Sequence, residues 1–507
     1  MKRTKYNLSH YNLLTGEMGR LYPIGLTEVL PGDTIQHHAN VLIRVSPMAA
    51  PVMHPVTARV HHFFIPNRII WSENQDGSGT GGWENFITGG EDGNNSEIPP
   101  QYTTVDYKTA GDANGQYLQD YFNIPSVAGV NVNRLPWEAY REVYNEFYRD
   151  QDLQEKPSIV DFVQNIAWGK DYFTTARPWP QKGSDVTIPL GDLAPITGIG
   201  KANPTWAFTN VPVYETDGSN KTYDSASKLN SDQDANSFYV EKGDGGAYPA
   251  IYADLAQATG ANINDVRRAF AIQRYQEARA RYGSRYVEYL RYLVPGLKPS
   301  DARLQRPEFL GGGSSKLNFS EVLQTGPETG TQPSNEFGVG DMYGHGIAAM
   351  RSNKYRRFFE EHGYVLSLLS VRPESIYQDG IDRHFLKTDK ESYYQRELTH
   401  IGQQEIYNNE VYADSSVAGM ETFGYSDRYD EYRWNRSHVC GEFRDTLDYW
   451  HMARKFDSPP TLNKDFIRCE PTKRIYNEQT QHPLWIMVQH KMIARRVLTA
   501  NASGRVI

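Results

Sequence analysis

The chain has 507 residues and a formal net charge of −8, and 39% of its residues are hydrophobic, with 34 Tyr, 20 Phe and 9 Trp. It is too long for one ordinary domain of roughly 100–200 residues, and its acidic balance excludes a protein that coats nucleic acid with its whole surface, leaving only local basic patches for such contacts. Its two cysteines, Cys440 and Cys469, argue against a disulfide framework and fit a reducing compartment.

At the start, MKRTKYNLSHYN offers Lys2, Arg3 and Lys5 but no apolar core behind them, so it does not read as a secretory signal. No apolar run approaches the ~20 residues needed to cross a bilayer. The turn Pro31-Gly32-Asp33 leads into Thr34–Val45, where Ile35, Ala39, Val41, Ile43 and Val45 share one face and Gln36, His38, Asn40 and Arg44 the other. This period of two predicts a half-buried strand, and Val56–Ile65 predicts a second. Two successive strands with no helix between them point to antiparallel pairing and a β core. They carry the pairs His37-His38 and His61-His62. Neighbours on a strand point to opposite faces, so each pair offers a single metal site one ligand at most, and the imidazoles read as core or interface groups rather than zinc ligands.

Glu73–Asp120 shifts to Gly, Asn, Asp, Ser and Thr and reads as exposed loop. Leu135–Tyr148 reads as a helix capped by Asn133, with Trp137, Tyr140, Tyr144 and Phe147 at helical spacing. Residues 191–247 lose periodicity, and so long a structureless stretch is usually functional or disordered. Asn264–Tyr282 is expected as the clearest helix, capped by Asn264, with Val266, Phe270, Tyr275 and Ala278 on an apolar side. Arg267, Arg268, Arg274, Arg279 and Arg281 surround that side, a charge run that reads as a solvated or ion-paired face. Gly311-Gly312-Gly313 lacks the order of a phosphate loop, so nucleotide binding is rejected.

The stretch Asp341–Pro373 organises the rest. A basic and aromatic segment (Arg351, Lys354, Tyr355, Arg356, Arg357, Phe358, Phe359) turns at Gly363 into Tyr364–Val371, a short apolar run ending before Pro373. That run reads as a strand buried on both faces, the middle of a layered sheet. Asp427, Asp430 and Glu431 lack the ligand alternation and glycine of a calcium loop and are expected to pair with Arg428 and Arg433. Val488–Ile507 carries Lys491, Arg495, Arg496 and Arg505 with no acidic residue. The basic termini, Lys2, Arg3 and Lys5 with Arg495 and Arg496, are the expected phosphate contacts.

The residues GHGIAAMRSNKYRRFFEEHGYVLSLLSVRPESIY (344–377) closely resemble the major capsid proteins of the small tailless single-stranded DNA phages, the microviruses, in their gokushovirus branch. The resemblance recurs at NLSHYNLLTGEMGRLYPIGLTEVLPGDTIQ (7–36), HPVTARVHHFFIPNRIIW (54–71), DARLQRPEFLGGG (301–313), IGQQEIYNNEVYAD (401–414) and FGYSDRYDEYR (423–433), in the family's order over nearly the whole chain. It implies a mainly β fold, the eight-stranded antiparallel viral jelly roll with long loop insertions and a few helices, as a single capsid domain over 1–507. It implies a homo-oligomeric icosahedral shell of about 60 copies around circular single-stranded DNA. A small basic DNA-packaging protein and an internal scaffolding protein are implied as partners, with assembly in the host bacterial cytoplasm. Residues 191–247 would be an insertion protruding near the three-fold axis and engaging a host receptor. No cofactor, metal or membrane insertion is expected.

An enzyme is not expected: no GxSxG occurs, and neither cysteine has a reactive context. The competing reading is a secreted β-sandwich carbohydrate-binding protein or glycoside hydrolase, which the Trp and Tyr content and the polar loops also fit.

Overall fold

The computed structural model describes residues 3–72, 82–88, 98–109, 116–158, 160–183, 196–197, 200–201, 213–214, 252–253, 263–282, 305–323, 342–413, 415 and 417–498. Ten strands build the core: β1 (Thr4–Asn7), β2 (His10–Gly16), β3 (Leu21–Val29), β4 (Thr34–Val45), β5 (Val56–Pro66), β6 (Glu308–Leu323), β7 (Met342–Arg351), β8 (Tyr355–Phe358), β9 (Gly363–Pro373) and β10 (Leu484–Arg496). The main path is β1-β10-β4-β7-β6-β5-β9-β3, with β2 joined to β10 and β8 to β4 off it. Every pairing is antiparallel. The result is a curled antiparallel sheet with few helices, the jelly-roll class that the resemblance implies.

The sheet folds on itself through β6. Its residues Glu308–Leu317 pair with β5, and Asn318–Leu323 pair with β7. One half, β3-β9-β5, therefore faces the other, β2/β1-β10-β4-β7/β8. Gly312 lies opposite His61 where β6 pairs with β5, and a Cβ there would collide with the Val60 carbonyl, so this strand position requires glycine.

Strand β4 has the predicted bounds, and its odd-numbered residues from Ile35 to Val45 are all buried, as the alternation demands. Strand β9 is buried along its length and pairs with β5 on one side and β3 on the other. Its Leu366 and Leu369 have no exposed surface, and burying each such side chain is worth roughly 2–3 kcal/mol. What covers its outer face is helix α1 (Leu135–Phe147). Asn133 Oδ1 accepts from the Leu135 N–H at 2.9 Å, so it serves the helix start although Arg134 occupies the cap position. The Tyr140 hydroxyl donates to the Leu21 carbonyl at 2.8 Å, and Phe147 meets Phe63 of β5 with ring centroids 4.7 Å apart.

Two expectations are corrected. Within Glu73–Asp120, the described parts are not simply exposed loop: Trp83–Thr88 is helical, Gln101–Thr103 pairs with Asn131–Asn133, and Tyr102 stacks on Trp137 at 4.5 Å. Leu118 and Gln119 are fully buried. A few anchors suffice to tie down a polar stretch, and average composition hides them. The second helix, α2, spans Ile263–Tyr282, so Asn264 lies inside its first turn instead of capping it. Phe270 and Tyr275 of its expected apolar side are exposed, while Ala278 is buried.

Two compact units divide the chain, Met1–Pro180 with Tyr282–Ile507, and Gln181–Arg281. In the second, besides most of α2, Ile196–Thr197 pairs with Tyr252–Ala253 and Gly200–Lys201 with Val213–Tyr214. The rest of 191–247 lies outside the described residues.

Candidate nucleic-acid interface

The outer face of β2/β1-β10-β4-β7/β8 is laid out by register, because directly paired residues of antiparallel strands point to the same side. Thr15, Trp485, Arg44 and Ile347 form one row across four strands. Leu13, Met487, Leu42 and Ala349 form the next, followed by Tyr11, Gln489, Asn40 and Arg351. Beyond them Lys491 stands opposite His38, Ile493 lies between Asn7 and Gln36 with Arg356 beside it, and Lys5, Arg495, Thr34 and Phe358 close the face. None of these positions holds an Asp or Glu. From Trp485 to Arg495 the face runs about 34 Å along β10.

Its two ends differ. The first is apolar: Leu13 is 72% exposed, Tyr11 70%, Trp485 46% and Met487 43%. The second is basic, with Lys5, Arg351, Lys354, Arg356, Lys491 and Arg495 all exposed. These six cations, and Arg44 at the apolar end, make no ion pair with any described residue. Their field is felt by His38, whose proton affinity is pushed down first by partial burial and then by Arg351, Lys491 and Lys354.

The residues expected from the termini converge here, because β1 pairs with the end of β10, setting Lys5 opposite Arg495 and Thr4 opposite Arg496. Lys2 lies outside the described residues. Lys5 and Arg495 are exposed on the face and pair with no described residue. Arg3 is anchored, donating to the Gly32 carbonyl at 3.1 Å and Thr34 Oγ1 at 3.0 Å, with its guanidinium over the Phe358 ring. Arg496 is held deeper, 3.0 Å from the fully buried carboxylate of Asp33 and 2.8 Å from the Glu28 carbonyl. Burial raises the Asp33 pKa, opposed by the Leu30 N–H and Arg496. Arg505 lies outside the described residues.

Trp485, Tyr11, Leu13 and Met487 were not singled out from sequence, and Arg44 was read only as part of the wet face of its strand. The signal was present as the alternation of Leu484–Ala494, whose even-numbered residues are buried, but which strand it would join could not be read from the strand itself.

Elsewhere, Arg433 pairs with Asp427 at 3.3 Å and Asp430 at 3.1 Å, as expected, while Glu431 pairs with Lys387 at 2.9 Å rather than with Arg428. Among the described residues no cluster suited to a metal ion occurs.

Comparison with known proteins decides what this sandwich is. The family model described as capsid protein (F protein) matches residues 1–500. The chain belongs to that capsid protein family. It is 34% identical over 491 residues to capsid protein VP1 of Bdellovibrio phage phiMH2K, covering 92% of this chain and 87% of that one. Capsid protein VP1 of Chlamydia phage 1 is 31% identical over 556 residues (92% and 89% covered), and that of Spiroplasma virus 4 is 28% identical over 501 (92% and 87%). The protein is a structural major capsid protein of the microvirus type, forms a homo-oligomeric shell, and resides in the virion. The carbohydrate-binding alternative finds no support in these relatives.

Proposed function

We propose that the carboxylate-free sheet face lines the interior of the capsid and holds the packaged single-stranded DNA. The observation that carries this is the convergence of seven cations, unpaired among the described residues, on a face that also presents Trp485, Tyr11 and Phe358 for stacking on unpaired bases. Lys5 and Arg495 contact phosphate directly, with Lys2 beside them in sequence, and Arg3 and Arg496 fix the strands that carry them. Because the whole chain is acidic, a small basic packaging protein supplies the remaining neutralisation. Shells of about 60 copies assemble on an internal scaffolding protein in the bacterial cytoplasm. The chain acts as one capsid domain carrying a surface insertion, residues 191–247, that meets the host receptor.

The test is coexpression with scaffold and genome, followed by electron microscopy and nuclease-protected DNA content. The triple variant Lys5→Ala, Lys491→Ala, Arg495→Ala is expected to form shells of normal size with reduced DNA. Normal DNA content in those shells would remove the interior role from this face.

A further inference from the structure

Between the two sheets the core is interrupted at one level. On β4 the inward residues run Ile35, His37, Ala39; on β10 Met492, His490, Val488; on β5 Phe64, His62, Val60; on β9 Val365, Ser367, Leu369. The first of each triplet belongs to one hydrophobic cluster and the last is buried on the other side, so three histidines and a serine form a polar layer across four strands.

The layer is hydrogen-bonded throughout. His37 Nε2 lies 2.9 Å from His490 Nδ1, and His490 Nε2 is 2.9 Å from the Ile24 carbonyl. His62 spans Ser367 Oγ at 2.8 Å and Ser352 Oγ at 2.9 Å, and Ser352 Oγ accepts from the Ala39 N–H at 2.8 Å. The His37 and His62 rings meet at 4.6 Å, joining the sheets, and His37 Nδ1 reaches the Tyr355 hydroxyl at 3.2 Å. His10, on the exposed edge, stacks on His490 at 4.8 Å and gives the layer an opening to solvent.

We propose that this layer is an acid-sensitive seam, along which the sandwich parts when its imidazoles become charged. The titratable groups acting on it are His10 at its edge, His38 and His61 from the opposite faces of their strands, and Tyr355 beside His37, and no carboxylate among the described residues acts on any of the three to stabilise an imidazolium. Burial first, and the neighbouring histidines second, push His37 down to about 2 and His62 to about 3. Burial and His10 bring His490 to about 4, against the Ile24 carbonyl, which favours the charged form. Folded values below the unfolded 6.5 mean that the unfolded chain binds the extra protons. Stability is therefore whole above about pH 6.5 and falls as pH drops toward the folded values. Each histidine steepens the unfolding constant by up to tenfold per pH unit. The smaller cluster beyond the layer, containing Ile35, Phe64, Val365 and Met492, underlies the basic end of the outer face, so the seam opens beneath the proposed DNA contacts. The seam itself does not depend on that reading.

The test is urea unfolding of purified subunits from pH 7.5 to pH 5, for wild type and for His62→Gln with His490→Gln, whose side chains hydrogen-bond without titrating. The variant is expected to lose up to about a hundredfold per pH unit of the wild-type steepness, approached near pH 5. Equal steepness overturns the seam. Hydrogen exchange on wild type supplies a second reading independent of the variant's folding. The Ile35, Phe64 and Met492 amides are expected to lose protection at pH 5 before those of Val41 and Val488, and simultaneous loss overturns the proposal. Both readouts are free of DNA, so they separate this inference from the interior role of the face.

Discussion

Replacing Lys491 and Arg495 with Ala removes two of the seven cations on the sheet face that pair with no described residue, and the loss is legible in the salt dependence of DNA binding. Each phosphate neutralised on a single strand adds about 0.7 to the slope of log affinity against log salt, so seven give about −5 and five about −3.5. Between about 50 and about 200 mM salt, wild-type affinity then falls roughly a thousandfold, and that of the variant roughly a hundredfold. The assay is fluorescence anisotropy of a labelled oligothymidine titrated with unassembled subunits over a salt series. The control Lys455→Ala with Lys464→Ala removes the same charge from exposed positions outside this face and is expected to leave the slope near −5. A double variant whose slope equals that of wild type would refute the interface, as would a control that shifts as much.

Arg496→Ala is expected to act on folding first. It strands the buried Asp33 carboxylate and costs about 3 kcal/mol in urea unfolding, most of it recovered when Asp33→Asn is added. Unchanged stability with weakened DNA binding would instead make Arg496 a contact. Leu366→Ala, in the doubly covered strand, is expected to cost about 3 kcal/mol, whereas Leu13→Ala on the exposed face changes stability by less than about 0.5 kcal/mol; thermal unfolding distinguishes the two. Replacing residues 191–247 with a short linker is expected to leave shell yield intact and abolish adsorption to host cells, and normal adsorption would demote the stretch to a spacer.

The strands that announced themselves in sequence did so through local signals. Thr34–Val45 alternates cleanly because one face is buried and the other is wet, and Gly363–Pro373 is rich in Val and Leu on both faces because β5 and β3 flank it and α1 covers its outer side. The pairs holding His37 and His62 were read as core or interface groups, but the layer was not legible. His37, His62 and His490 come from three strands far apart in sequence, and only the fold sets them at one level. The interface was half legible for the same reason. Charge at the two termini could be seen in the residues, whereas the stacking rows on β2, β10 and β7 depend on register, which the residues of a single strand do not state.

The pairing of β10 with β4 on one side and with β1 and β2 on the other has a consequence for synthesis. The strand that completes the middle of this face is translated after nearly everything it binds, so β1, β2 and β4 wait for it through most of the time the chain spends on the ribosome. Until it arrives they present unpaired edges and an open core, contacts of high sequence separation that form slowly and expose apolar surface meanwhile. A truncated chain cannot display the rows that β10 contributes. Until β10 is made, a nascent subunit lacks the strand that ties β1 and β2 to β4.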